Sequence, residues 1–343
     1  SYNSGLGGNE NTIFGNQAGE DLTSGNQNTL IGRGAGQNLT TSTSATFIGS
    51  YVGYAATTGA SDTIAIGANA MDTGTGTTSA VFIGRYAGQY TAGDHAHGTI
   101  AIGRETLRYN QTGRYNTAVG HISMRNMGNG SEHGDSNTAL GYSTMYNFKP
   151  ASDGDGDNTV VGTEGFNAIS QGTHNTGIGS HVARTGTNDL TTGTGNTLIG
   201  SYAALSSGSA VNEIVIGSGS IGLGDNQTVI GNSGQTHVVF GGDALISGSF
   251  LSSGSFGHLV LGNRDTDASF EFGRVHVGFI GYSDMAGFSH VDNDSTANFS
   301  LAQSAAGKTI INAKSGQPIA FKINNSDVVQ ISSAGNLGVG IET

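Results

Sequence analysis

Fourteen times within the first 241 residues an apolar residue stands immediately before a glycine, with a β-branched residue two places before that apolar one. The glycines are Gly15, Gly32, Gly49, Gly67, Gly84, Gly103, Gly120, Gly141, Gly162, Gly179, Gly200, Gly217, Gly231 and Gly241. Six of the thirteen successive gaps are 17, others stretching to 21 at the widest and closing to 14 and 10 at the end. A near-constant period with small additions means one supersecondary unit per repeat, the extra residues lying in a loop. Units too short to fold singly must stack, so the pattern predicts a parallel β-solenoid of about 14 coils, roughly 67 Å long at about 4.8 Å per coil. Alternate residues of a strand share a face. The apolar residue and its β-branched companion, such as Ile102 and Ile100, are therefore expected to point into the coil. The residue between them, such as Ala101, is expected to point outward. No charge occurs at that middle position in any repeat. A strand apolar on both faces must be covered on both, and a one-layer coil covers only one, so the other face should meet another chain.

Composition narrows the reading. Glycine is 59 of 343 residues, charged residues are 11%, and there are two prolines, Pro150 and Pro318. Low-complexity disorder lacks an apolar residue recurring in register, so order is expected. Without cysteine the chain can form no disulfide or thiolate metal site. No apolar run is long enough to span a membrane, and no secretory leader stands at Ser1. A net charge of −12 argues against nucleic acid and anionic membrane surfaces as partners.

The array is assigned to residues 1–242. Residues 243–257, rich in glycine and serine, read as a neck or linker. Residues 258–343 alternate apolar and polar positions between turn signals at Ser315-Gly316, Asn324-Asn325 and Gly335-Asn336, and read as a small C-terminal β domain forming a tip or shaft.

The phrases Asn28-Thr29-Leu30-Ile31-Gly32, Asn116-Thr117-Ala118-Val119-Gly120 and Asn137-Thr138-Ala139-Leu140-Gly141 resemble the head repeats of YadA-type trimeric autotransporter adhesins. The stretch Ser333-Ala334-Gly335-Asn336-Leu337-Gly338-Val339-Gly340-Ile341 is similar to the segment that precedes a self-cleaving intramolecular chaperone in many phage tail fibres. The resemblance implies a homotrimeric fibre that binds a host-surface glycan or protein and joins other fibre or baseplate proteins. The period exceeds that of the adhesin heads and no coiled-coil stalk follows, which favours a virion tail fibre over a bacterial surface adhesin.

Candidate chemistry is sparse. Asp153, Asp155 and Asp157, with Glu164 at the twelfth position and Val160 at the eighth, have the spacing of a calcium loop and are a candidate calcium site, the alternative being a solvated acidic turn between coils. Gly93-Asp94-His95-Ala96-His97 resembles the histidine pairs that hold a metal on the three-fold axis of some tail-fibre needles, implicating His95 and His97. Glycan hydrolysis needs two carboxylates about 5 to 9.5 Å apart, and Glu20, Asp21, Glu132 and Asp135 are acids that could supply such a pair. Acids in such loops ordinarily confer solubility, and no nucleophile motif or phosphate loop is present, so an enzyme is not expected. No cofactor is required. For receptor contact, Tyr282 can stack on sugars while Asp284, His290 and Asp292 can bond hydroxyls. The insertions at 145–157 and 184–195 are alternative contact sites.

Overall fold

The structure is a computed structural model that describes residues 8–340 except 75, 92–95, 112, 128–133, 151–155, 235–268, 273, 280–284, 291 and 293–297. It is all-β, with no α-helix among the described residues. The chain divides into two compact units, Ser1–Gly242 and Asp243–Thr343.

Each described repeat contributes one three-residue strand: β1 (Thr12–Phe14), β2 (Thr29–Ile31), β3 (Thr46–Ile48), β4 (Ile64–Ile66), β5 (Val81–Ile83), β6 (Ile100–Ile102), β7 (Thr117–Val119), β8 (Thr138–Leu140), β9 (Thr159–Val161), β10 (Thr176–Ile178), β11 (Thr197–Ile199), β12 (Ile214–Ile216) and β13 (Thr228–Ile230). These thirteen strands form a single parallel sheet in sequence order, every strand paired in register with the next. The parallel solenoid is thus as the repeat pattern requires. The fourteenth repeat, ending at Gly241, lies outside the described residues.

The glycine after each strand is fixed by backbone geometry. From Gly15 to Gly217 these residues hold φ between 128° and 144°, a region costly for any residue with a Cβ. A Cβ there would also strike the backbone of the corresponding glycine one coil on, as Gly141 would strike the Gly162 carbonyl oxygen.

A second device is a ladder of buried asparagines four places before the glycine. The Oδ1 of Asn116 accepts from the backbone N–H of Asn137 at 2.8 Å and from its Nδ2 at 3.1 Å. The same pair of bonds joins Asn137 to Asn158, Asn158 to Asn175, and Asn175 to Asn196. Glu213 ends the run, its backbone N–H donating to Asn196 Oδ1 at 2.8 Å. Each amide satisfies donors that burial would otherwise leave unpaired.

The interior of the coil corrects the expected facing. The middle strand residues are the buried ones, Leu30, Phe47, Ala65, Phe82, Ala101, Ala118, Ala139, Val160, Leu198 and Val215 all being 0% exposed. The flanking pair lies on the outer face instead, where Ile100 and Ile102 are each 37% exposed. The reason is packing volume. The middle residue meets the residue six places later, four beyond the glycine, and the two sizes compensate. Phe47 faces Gly53, where a Cβ would come within 2.5 Å of the ring, and Phe82 faces Gly88 in the same way. Where the middle residue is Ala65, Ala118 or Ala139, its companion is a fully buried methionine, Met71, Met124 or Met145. Such interlocking at nearly constant volume is how a close-packed interior tolerates varied sequence.

The second unit holds two antiparallel sheets. One comprises β14 (Ser269–Phe272), β15 (Val275–Phe279), β16 (Met285–His290), β17 (Leu301–Ser304) and β18 (Thr309–Ile311); the other comprises β19 (Ile319–Ile323), β20 (Ser326–Ile331) and β21 (Leu337–Val339). Phe299, Ala302 and Ile310 form a small cluster on the first.

Candidate interface and binding surface

Parallel, in-register stacking turns the two outward positions of each strand into two columns along the solenoid. One runs from Phe14 through Ile102 to Ile230, the other from Thr12 through Ile100 to Thr228. Neither contains a charged residue. Ile178 and Ile230 are 45% and 49% exposed, so the strip is open along its length in the single chain. Twelve steps of about 4.8 Å make it about 58 Å long. An apolar surface so long and regular is rare on a protein that stays monomeric.

The second unit repeats the theme on a smaller scale. Val277, Phe288, Leu301 and Ile311 lie side by side across four strands, with Phe288, Leu301 and Ile311 exposed. A concavity of about 460 Å³ lies over Val277, Phe288 and Leu301. On the last sheet Ile331 pairs with Leu337 and Val329 with Val339, and Leu337 and Val339 are exposed.

A different surface lies beyond the glycine turns of β5 to β8. Residues at equal offsets from successive glycines stack into columns, which brings together side chains 17 to 21 residues apart. Tyr90 and Tyr109 stack with ring centroids 5.1 Å apart and planes 12° from parallel. The Arg108 guanidinium lies 4.8 Å from the Tyr86 ring centroid and 5.3 Å from that of Tyr109, and the Arg125 guanidinium lies 5.2 Å from Tyr109. Glu105 sits among three arginines: Arg125 Nε at 2.8 Å, Arg104 Nη2 at 3.1 Å and Arg108 Nη1 at 3.3 Å. The hydrogen bond from Arg125 is the largest cause holding the Glu105 carboxyl below its ordinary value of 4.5; burial opposes it, and the charges of Arg125, Arg108 and Arg104 add to it. Arg85 is exposed and donates to the Tyr86 hydroxyl at 2.9 Å. One coil earlier, burial raises the Asp72 carboxyl above its ordinary value, against hydrogen bonds with Gln89 and Asn69. This ridge escaped the sequence reading. The signal was available as basic and aromatic residues recurring at fixed offsets after the glycines.

The residues singled out from sequence fare differently. Asp153 and Asp155 lie outside the described residues; Asp157 is exposed, 3.5 Å from His174 Nε2. The Glu164 carboxylate faces the Arg184 guanidinium and lies 3.4 Å from His181 Nε2, so it is engaged by two side chains of the next coil. Among the described residues no group of three or more metal-binding side chains gathers. His95 lies outside the described residues, and His97 Nδ1 contacts the Thr78 hydroxyl of the preceding coil. Tyr282 and Asp284 also lie outside. His290 and Asp292 pair with each other, the Asp292 backbone N–H donating to His290 Nδ1 at 3.2 Å. Glu20 accepts from Gln37 Nε2 at 2.8 Å, and Asp135 accepts from the Arg114 backbone N–H at 2.8 Å. These two acids belong to the coils of β1 and β8, on the order of 30 Å apart along the stack, and form no carboxylate pair. Glu132 lies outside the described residues.

No protein-family model matches the chain, and no curated protein matches it.

Proposed function

We propose that the chain is a homotrimeric fibre of a virion, a tail-fibre segment that attaches to a host-surface glycan or protein. The observation that carries this reading is the uncharged apolar strip along all thirteen described strands. Three such strips turned toward a common axis cover one another and leave the polar coil faces in water. The strip alone calls for at least one further copy; the number three rests on the resemblance to YadA-type heads. Exposed apolar rows on both C-terminal sheets support the same arrangement, since they too lack cover within one chain. A solenoid that carries its loops on a rigid scaffold suits attachment, and recognition ordinarily sits on such loops.

Mass photometry at nanomolar concentration tests the assembly. Three chains of 34.6 kDa predict a species near 104 kDa. A soluble, folded species at the mass of one chain would remove the reading. Binding of labelled protein to host cells, with loss of binding after the surface glycans are stripped, separates a glycan receptor from a protein one.

A further inference from the structure

We propose that the ridge of Arg85, Tyr86, Arg104, Arg108, Tyr109 and Arg125 is a binding site for an anionic polysaccharide, one carrying a carboxylate or phosphate at intervals along a sugar chain. The inference deepens the attachment reading and rests on it for its biological sense, but its physics is that of a single chain.

The distribution of charge comes first. Of the eight lysines and arginines in Ser1–Gly242, five fall between Arg85 and Arg125, against two acids in the same stretch, Asp94 and Glu105. In space, the guanidiniums of Arg104, Arg108 and Arg125 gather around the carboxylate of Glu105, and Arg85 lies over the Tyr86 ring that Arg108 also faces, four positive charges to one negative, which leaves an excess of three. On a chain of net charge −12 these gathered cations make a local field opposite in sign to that of the rest of the molecule, which is what draws an anionic ligand to one place.

The second observation is that the cations are laid on aromatic rings. Arg108 lies near Tyr86, Tyr90 and Tyr109, and Arg125 near Tyr109 and Tyr146. These contacts fix the guanidiniums without using up all of their five N–H donors. Arg104 and Arg85 remain the accessible pair, the Arg104 side chain being 58% exposed. Tyrosine rings and hydroxyls beside guanidiniums present what an acidic sugar offers partners for: an apolar ring face, hydroxyls and an anion.

The third observation decides between polyanions. The ridge covers three coils, about 10 Å, with an excess of three positive charges. Nucleic acid carries about one charge per 1.7 Å of duplex and is bound through broad basic surfaces. The rest of this chain is acidic, with a sequence pI near 5.1, and would repel so dense a polymer beyond the ridge. A sugar chain with one charge per repeat unit matches a short, sparse run of arginines.

The test uses the full chain in biolayer interferometry against hyaluronate, polysialate, a polyol-phosphate teichoic acid, neutral dextran and an oligothymidylate, at low and high salt. Salt-sensitive binding to at least one of the three anionic glycans, exceeding that to dextran and to the oligothymidylate, is expected. Arg85→Gln/Arg104→Gln, which removes the two most exposed guanidiniums, should weaken it about tenfold or more at unchanged melting temperature. Tyr109→Ala, which removes the ring between Arg108 and Arg125, should weaken it as well. Failure to bind any of the three, equal binding to dextran or the oligothymidylate, or unchanged affinity in the double arginine variant would each overturn the proposal. Mass photometry on the same samples keeps the two readings apart. A monomer that binds the glycan retains this site and loses the trimeric fibre; a trimer that binds none does the reverse.

Discussion

At the scale of single residues the solenoid is specified by positions that tolerate little change. Gly120 holds φ at 137°, and a Cβ there would collide with the Gly141 carbonyl oxygen of the next coil. Gly120→Ala is therefore expected to cost about 2 kcal/mol or more, from backbone strain plus a contact that rigid backbone cannot relieve. Urea denaturation at neutral pH measures it, and wild-type stability in the variant would show that the turn can open. Glu105 gives a pH-dependent counterpart. Its carboxyl is held below 4.5 in the folded chain, so its contribution is complete above the ordinary glutamate range and is lost as pH falls through the depressed value. Glu105→Gln should cost about 1–2 kcal/mol at neutral pH. The gap between variant and wild type should close on acidification, and a gap independent of pH would mean that Glu105 acts through packing. Asp72 works in the opposite sense, since burial raises its carboxyl and protonation there favours the folded chain.

At the scale of the coil, much was legible in the sequence and one thing was read the wrong way round. The glycine period gave the strands and their parallel stacking, because one turn with a glycine-only φ recurs in every repeat. Which face lies inside did not follow from alternation, since a three-residue strand with no charge at any position, and only threonine as a polar residue on one side, offers too little contrast to break the tie. The information lay instead in volume. Phe82 is followed six places later by Gly88, and Ala139 by Met145. Only residues that touch need to share a fixed space in this way. The same logic yields a double-mutant cycle. Phe82→Ala alone should cost about 3–5 kcal/mol, and Gly88→Met alone should overpack against the Phe82 ring. The combination recreates the pairing that Ala139 and Met145 already make, and should recover much of the loss. Methionine is admissible at this left-handed position because Met145 holds φ at 49°. Melts of all four proteins would give the coupling, and purely additive losses would separate the two positions in space. The ridge of arginines and tyrosines stayed hidden for a related reason: partners such as Tyr86 and Arg108, or Tyr109 and Arg125, are far apart in sequence and meet only when successive turns are stacked.

At the scale of the molecule, the question is what covers the apolar strip, and substitution on the two faces of one strand answers it. Ala101 is fully buried in its coil, so Ala101→Asp places an unpaired charge in the interior and should unfold neighbouring coils, costing several kcal/mol. Ile102→Asp acts on the outer column and should leave each coil intact while opposing association. Because an assembly that dissociates on unfolding gains stability by mass action, the melting temperature of the wild type should rise with protein concentration. The Ile102→Asp chain should lose most of that dependence and sediment as a smaller species with an unchanged far-ultraviolet spectrum. A melting temperature independent of concentration in both proteins, with equal masses, would leave the strip open to solvent and the solenoid standing alone.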